Sequence, residues 1–178
     1  MLGAASFILM ATIQVPVLPA APYLRYDPSD VVGLVAAVTL GPVHALAVVA
    51  VKDLLYLFFR ARSIFGPVAN FLAVATFVAV AGWTYRRRGQ ASPVSLLIAC
   101  GAGALARIAV MIPANFVILN LQLGMPAAKV AQLLWPVIIP FNAAASAINT
   151  GLSFLLLGAI WRRGLAIAPR PEGPAARL

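Results

Sequence analysis

Acid is nearly absent from this chain: its 178 residues hold four Asp and Glu against 13 Lys and Arg, and cysteine and histidine occur once each, at Cys100 and His44. A single cysteine excludes an internal disulfide and leaves a thiolate zinc site without ligands. No second histidine or acid stands at metal-ligand spacing from His44, so zinc-hydrolase patterns are excluded and no metal is expected. No GxxxxGK[ST] loop occurs. Uphill work driven by nucleotide hydrolysis would therefore need another subunit to hold the nucleotide. No GxSxG turn occurs either, and paired-carboxylate catalysis has only Asp27 and Asp30 to draw on, because Asp53 lies in an apolar tract and Glu172 in the tail. The chain reads as a binder rather than an enzyme, with no cofactor.

What is present in abundance is hydrocarbon. The apolar fraction is 63% and the mean hydropathy +0.99, far above the roughly 45–50% apolar content of a soluble domain. This is an all-α integral membrane protein, with the lipid bilayer as its solvent and length for five or six crossings of about 20 residues in one compact bundle. The net charge of +9 does not point to nucleic acid, because the basic residues cluster at the ends of apolar tracts, where they orient helices. Ile64 to Tyr85 runs without charge into Arg86-Arg87-Arg88, Pro93 to Leu121 holds only Arg107, and Leu133 to Trp161 ends in Arg162-Arg163. Two crossings separate the arginine clusters, which places both on one side, read as cytoplasmic.

The first tract, Leu2 to about Val15, lacks the basic start of a secretory signal and is expected to stay as a short first helix, stopped by Pro16, Pro19 and Pro22. Val31 to Phe59 is too long for one crossing and short for two, with Gly41-Pro42 near its middle. A kink there gives five helices; a hairpin gives six, with both termini cytoplasmic. Residues 1–163 form the membrane-embedded unit, and the Pro- and Ala-rich stretch 164–178 is expected to be a disordered cytoplasmic tail.

Polar groups inside the tracts carry the functional signal. Arg107 in mid-helix costs on the order of 2.5–3.5 kcal/mol unless paired, with Asp53 the obvious partner. Asn115, Asn142 and Asn149 bear amides that hydrocarbon cannot satisfy. Asn142 and Asn149 are seven apart and share a helix face, downstream of Pro136 and Pro140, which are expected to break the outer part of that helix. Half of the chain's carboxylates sit in Asp27-Pro28-Ser29-Asp30, a helix start with Asp27 as cap and Asp30 at the positive helix end. The preceding "YLRY" suits a lid over a flat ligand.

The stretches "YLRYDPSDVVGLVAAVTLGPVHALAVVAVKDLLYLFF", "GPVANFLA", "YRRR" and "IIPFNAAASAINTGLSFLL" resemble the substrate-binding S component of energy-coupling factor (ECF) vitamin transporters, in its riboflavin-binding branch. The resemblance covers nearly the whole chain. It implies a six-helix membrane bundle at the cell membrane, a turn at Gly41-Pro42, and a first external loop that helps cover the vitamin. It also implies a transmembrane scaffold subunit and two ATPase subunits as partners. On this resemblance the substrate-binding candidates are Leu24, Tyr26, Asn70, Asn115, Asn142 and Asn149, with riboflavin as transported substrate. The chain departs from the family at Ala145, where riboflavin-type members commonly carry lysine, and in the first helix, where Ala4 and Ala5 are followed four positions on by Ile8 and Leu9 rather than by small residues. Another vitamin or flavin analogue stays open as substrate, as does a purely structural membrane protein whose asparagines bond helices together.

Overall fold

The computed structural model describes residues 1–18, 24–89 and 92–162, and within them the apolar tracts are helical. Helix α1 spans Leu2–Thr12, α2 Ser29–Thr39, α3 Pro42–Phe59, α4 Phe65–Arg88 and α5 Pro93–Leu123. Helix α6, Ala127–Leu133, continues through a π-helical stretch, Leu134–Ile138, into α7, Ile139–Arg162. With that bent rod counted once, the described residues form six helices. Among them α3, α4, α5 and the rod Ala127–Ile160 are long and apolar enough to cross a bilayer. Helices α1 and α2, of 11 residues each, rise only about 17 Å. The stretch 164–178 lies outside the described residues.

The first helix ends at Thr12, short of the expected Val15, because Val15 and Pro16 pair as a two-residue strand (β1) with Arg25 and Tyr26 (β2) in an antiparallel ribbon. A residue before proline is pushed out of the helical region, so Pro16 already biases Val15 toward extended backbone. The ribbon returns the chain to the end of the bundle where α1 stops and α2 begins.

The Val31–Phe59 tract divides into two helices at Leu40–Gly41. Gly41 has φ +105°, and a Cβ there would collide with the Arg86 guanidinium, whose Nη2 donates to the Leu40 carbonyl at 2.8 Å. Pro42 then opens α3 at its first position, where a missing N–H costs nothing. This contact sets the α2–α3 turn beside the Arg86–Arg88 cluster, at the end where α5 also begins: Arg88 Nε reaches Ser95 Oγ at 3.4 Å. Replacing Gly41 with Ala should cost about 1–3 kcal/mol, since both the left-handed backbone and the guanidinium oppose a side chain. A lowered unfolding midpoint in detergent is the expected readout, and an unchanged midpoint would contradict this account of the turn.

The core lies between α2, α3, α4 and α5 around Leu34, Val49, Phe77, Val78, Tyr85 and Leu96. Gly103 lets α4 and α5 close up, as a Cβ there would stand 2.7 Å from the Phe77 carbonyl. Pro136 sits inside the π-helical stretch, where the Ile139 N–H reaches five residues back to the Leu134 carbonyl. Proline removes a ladder donor and crowds the preceding turn, which the wider π spacing accommodates. The bend expected from Pro136 and Pro140 is thus local, and it brings Ile138 and Phe141 to the bundle interior at the end opposite the Arg86–Arg88 cluster.

Candidate functional site

Opposite the arginine-rich end, the ribbon, α4 and α5 enclose a cavity of about 300 Å³. Its walls are Met10 in the last turn of α1 and Gln14 just after it, Leu24, Arg25 and Asp27 of the loop, and Tyr56 near the end of α3. Phe65, Gly66, Ala69 and Asn70 of α4, then Met111, Asn115, Ile118, Leu119 and Gln122 of α5, and finally Ile138 and Phe141 of the rod complete it. The volume is at the lower end of the roughly 300–1,000 Å³ that small-molecule pockets occupy. The mixture is also typical of such pockets: aliphatic and aromatic walls with a few convergent amides. Asn115 spends one N–H on the Met111 carbonyl at 2.7 Å. Its other donor and its oxygen are left to face the cavity.

Three of the six sequence-derived binding residues, Leu24, Asn70 and Asn115, line this cavity. The other three do not. Tyr26, Asn142 and Asn149 belong to a polar network directly behind it. Tyr26 donates its hydroxyl to Asn149 Oδ1 at 2.7 Å, Asn149 donates through Nδ2 to Asp30 Oδ2 at 3.3 Å, and Arg107 Nε donates to Asn142 Oδ1 at 2.9 Å. Asn142 also donates to the Ile138 carbonyl at 2.8 Å. Both asparagines are buried, and each makes one of these bonds to another helix, Asn142 to Arg107 of α5 and Asn149 to Asp30 of α2. Tyr26 still matters to the cavity, because its bond pins β2 to α7 next to Leu24 and Arg25.

The centre of the network is Asp30, and its partners correct the sequence expectation. Arg107 faces Asp30, with Nη1 3.7 Å from Oδ2, and not Asp53. Lys52, not among the sequence-derived candidates, donates to Asp30 Oδ1 and Asn70 Oδ1, each at 2.8 Å. Asp53 instead turns toward α4. Lys52 therefore links the ion pair to a cavity wall: it fixes the Asn70 oxygen and leaves that amide's N–H groups to the cavity. The signal available in the sequence was Lys52-Asp53 itself, a charged pair in the middle of an apolar helix.

Asp27 caps α2 from just outside it, its Oδ1 accepting the Ser29 N–H at 3.0 Å and the Ser29 hydroxyl. Burial, and then the negative charge of Asp30, push its carboxyl up from 3.8 to about 6, against the opposing pull of Lys52 and the Ser29 bonds. Burial likewise raises the Tyr26 phenol, aided by Asp30 and Asp27, so it stays a hydrogen-bond donor throughout the physiological range. The folded chain holds the Asp27 proton more tightly than the unfolded chain does. That contribution to stability is full below about pH 4 and is lost as pH rises through about 6. On the order of 3 kcal/mol is at stake. The unfolding midpoint in detergent should fall from pH 4.5 to 7.5 more steeply in the wild type than in Asp27→Asn; parallel curves would contradict the assignment.

His44 is exposed on the first turn of α3, and no group of three metal-ligating side chains occurs among the described residues.

Residues 1–157 match the family model described as ECF transporter, substrate-specific component. Over 89 residues, 49% of this chain and 46% of the relative, the sequence is 43% identical to riboflavin transporter RibU of Staphylococcus aureus (strain TCH60). Over 109 residues, 59% of this chain and 56% of the relative, it is 29% identical to riboflavin transporter FmnP of Bacillus subtilis (strain 168). The chain thus spans about half the length of the curated relatives it matches. Among solved structures it is similar to the S component of a bacterial ECF transporter, with a TM-score of 0.79 and 32% identity over 92% of both chains.

Proposed function

The chain belongs to the family of substrate-specific components of ECF transporters, and from that premise we propose that it captures riboflavin at the outer face of the membrane for uptake powered by partner subunits. The observation that carries this reading is the cavity at the end opposite the Arg86–Arg88 cluster, where the amides of Asn70 and Asn115 meet walls from Leu24, Tyr56, Phe65 and Phe141. A flavin presents a flat apolar ring with a donor–acceptor edge and a polyhydroxyl chain, which asks for this combination. The similarity to two riboflavin transporters supports the same substrate.

The arginine clusters put α4 and α7 ends, and with them both termini, in the cytoplasm under the rule that basic loops stay inside. The cavity then opens outward. The missing phosphate loop assigns the energy to other subunits, a transmembrane scaffold and two ATPases by the family resemblance. Ala145 is buried in place of the family's lysine, and the cation in that region is Arg107, held against Asn142.

Equilibrium dialysis of the purified protein tests the substrate. Saturable riboflavin binding is expected, with none for a vitamin lacking a flavin-like ring. Saturable binding of a different vitamin alone would overturn riboflavin while leaving the family membership intact.

A further inference from the structure

Asp53 has no role in the vitamin cavity, and its surroundings are unusual for a carboxylate. It is 4% exposed, and neither oxygen has a hydrogen bond among the described residues. The nearest cation, Lys52 Nζ, stands 3.7 Å away and is already committed to Asp30 and Asn70. Asp53 forms the inner wall of a second cavity, about 310 Å³, between α3 and the first turns of α4. The remaining walls are hydrocarbon, among them Leu54, Leu57, Pro67, Val68 and Phe71. Leu54 and Val68 are 52% and 44% exposed on the outer surface of the bundle, so the mouth opens toward the bilayer.

A buried carboxylate with no donor is costly unless something neutralises it. Locally the buried acids Asp27, Asp30 and Asp53 outnumber the buried cations Lys52 and Arg107 by three to two. A metal ion does not fit, because the cavity offers one carboxylate and no other oxygen ligand where calcium or magnesium needs six or more. What fits is a single positive charge bearing N–H donors, joined to an apolar body that arrives from the membrane. Arg60 follows directly on the end of α3, about 10 Å along the axis from Asp53, but its guanidinium donates to the Ala11 carbonyl at 3.3 Å and neither it nor Arg62 lines the cavity, so Asp53 is the charged group of this site.

We propose that this cavity is a lipid site that takes the primary ammonium headgroup of a bilayer aminophospholipid, with Asp53 as its acceptor. The site is separate from the vitamin cavity but joined to it through Lys52, which lies between Asp53 and Asn70. Protein reconstituted in nanodiscs of equal phosphatidylethanolamine, phosphatidylcholine and phosphatidylglycerol, then released for native mass spectrometry, tests it. Phosphatidylcholine carries the same charge without N–H donors, so the wild type should retain phosphatidylethanolamine on the order of tenfold over it. Asp53→Asn should abolish the preference, and Val68→Trp, which plugs the mouth without touching the carboxylate, should reduce retention of the lipid. Equal retention of the three lipids by the wild type would overturn the proposal. So would an undiminished preference in Asp53→Asn, or displacement of the lipid by free ethanolamine as effectively as by lipid amine, which would make the ligand a soluble amine.

Discussion

Asn115→Leu should weaken riboflavin binding by about 100-fold while leaving the folded protein nearly as stable as the wild type. The size follows from pairing: a polar ligand edge that loses its amide in an apolar enclosure keeps the desolvation cost and loses the bond. The small effect on stability follows from position. Asn115 is half-buried at the cavity wall, and among the described residues its side chain bonds only the Met111 carbonyl of its own helix. Leucine fits a helix and a membrane bundle well. Titration by quenching of flavin fluorescence, run beside a thermal melt, separates the two quantities. Unchanged affinity would remove Asn115 from the site, and loss of fold with loss of binding would make it structural.

Lys52→Met should have the largest effect on stability in the chain, about 3–5 kcal/mol, because it strands buried carboxylates. Lys52 is fully buried, and its ammonium contacts Asp30 and Asn70 at 2.8 Å and Asp53 at 3.7 Å. Arg107 at 3.7 Å is then the remaining cation at Asp30. Removing Lys52 also frees the Asn70 amide to rotate, so residual folded protein should bind riboflavin more weakly. A melt of Lys52→Met that matches the wild type would show that the network carries little stabilisation.

The crossings were legible because charge is confined to their ends, so that each tract announces its limits at Arg86, Arg162 or Ser92-Pro93. The division of Val31–Phe59 was not, since Gly-Pro permits both a kink and a turn; the arbiter is Arg86, 46 residues beyond Leu40, capping the turn from another helix. The ribbon that shortens α1 is likewise a pairing at a distance. In the site, the residue types were legible and their directions were not. Asn142 and Asn149 share a face as their spacing required, but that face meets Arg107, Tyr26 and Asp30 rather than the cavity. Asp53 and Lys52 are neighbours whose side chains leave α3 about 100° apart. Lys52 consequently reaches Asp30, while Asp53 is turned toward α4 and away from Arg107. In the Asp27-to-Asp30 cluster the cap position falls to Pro28, with Asp27 accepting the Ser29 N–H from one residue further out, while Asp30 lies in the first turn as expected and also organises the buried network.

Flavin photochemistry offers the most direct test of where the vitamin sits. Illumination of riboflavin bound to excess protein, followed by peptide mass spectrometry, should oxidise the cavity side chains Met10, Tyr56 and Met111 well ahead of the exposed Trp83 and Trp135 outside it. Oxidation concentrated at those tryptophans, with Met111 spared, would contradict a vitamin held between the ribbon, α4 and α5.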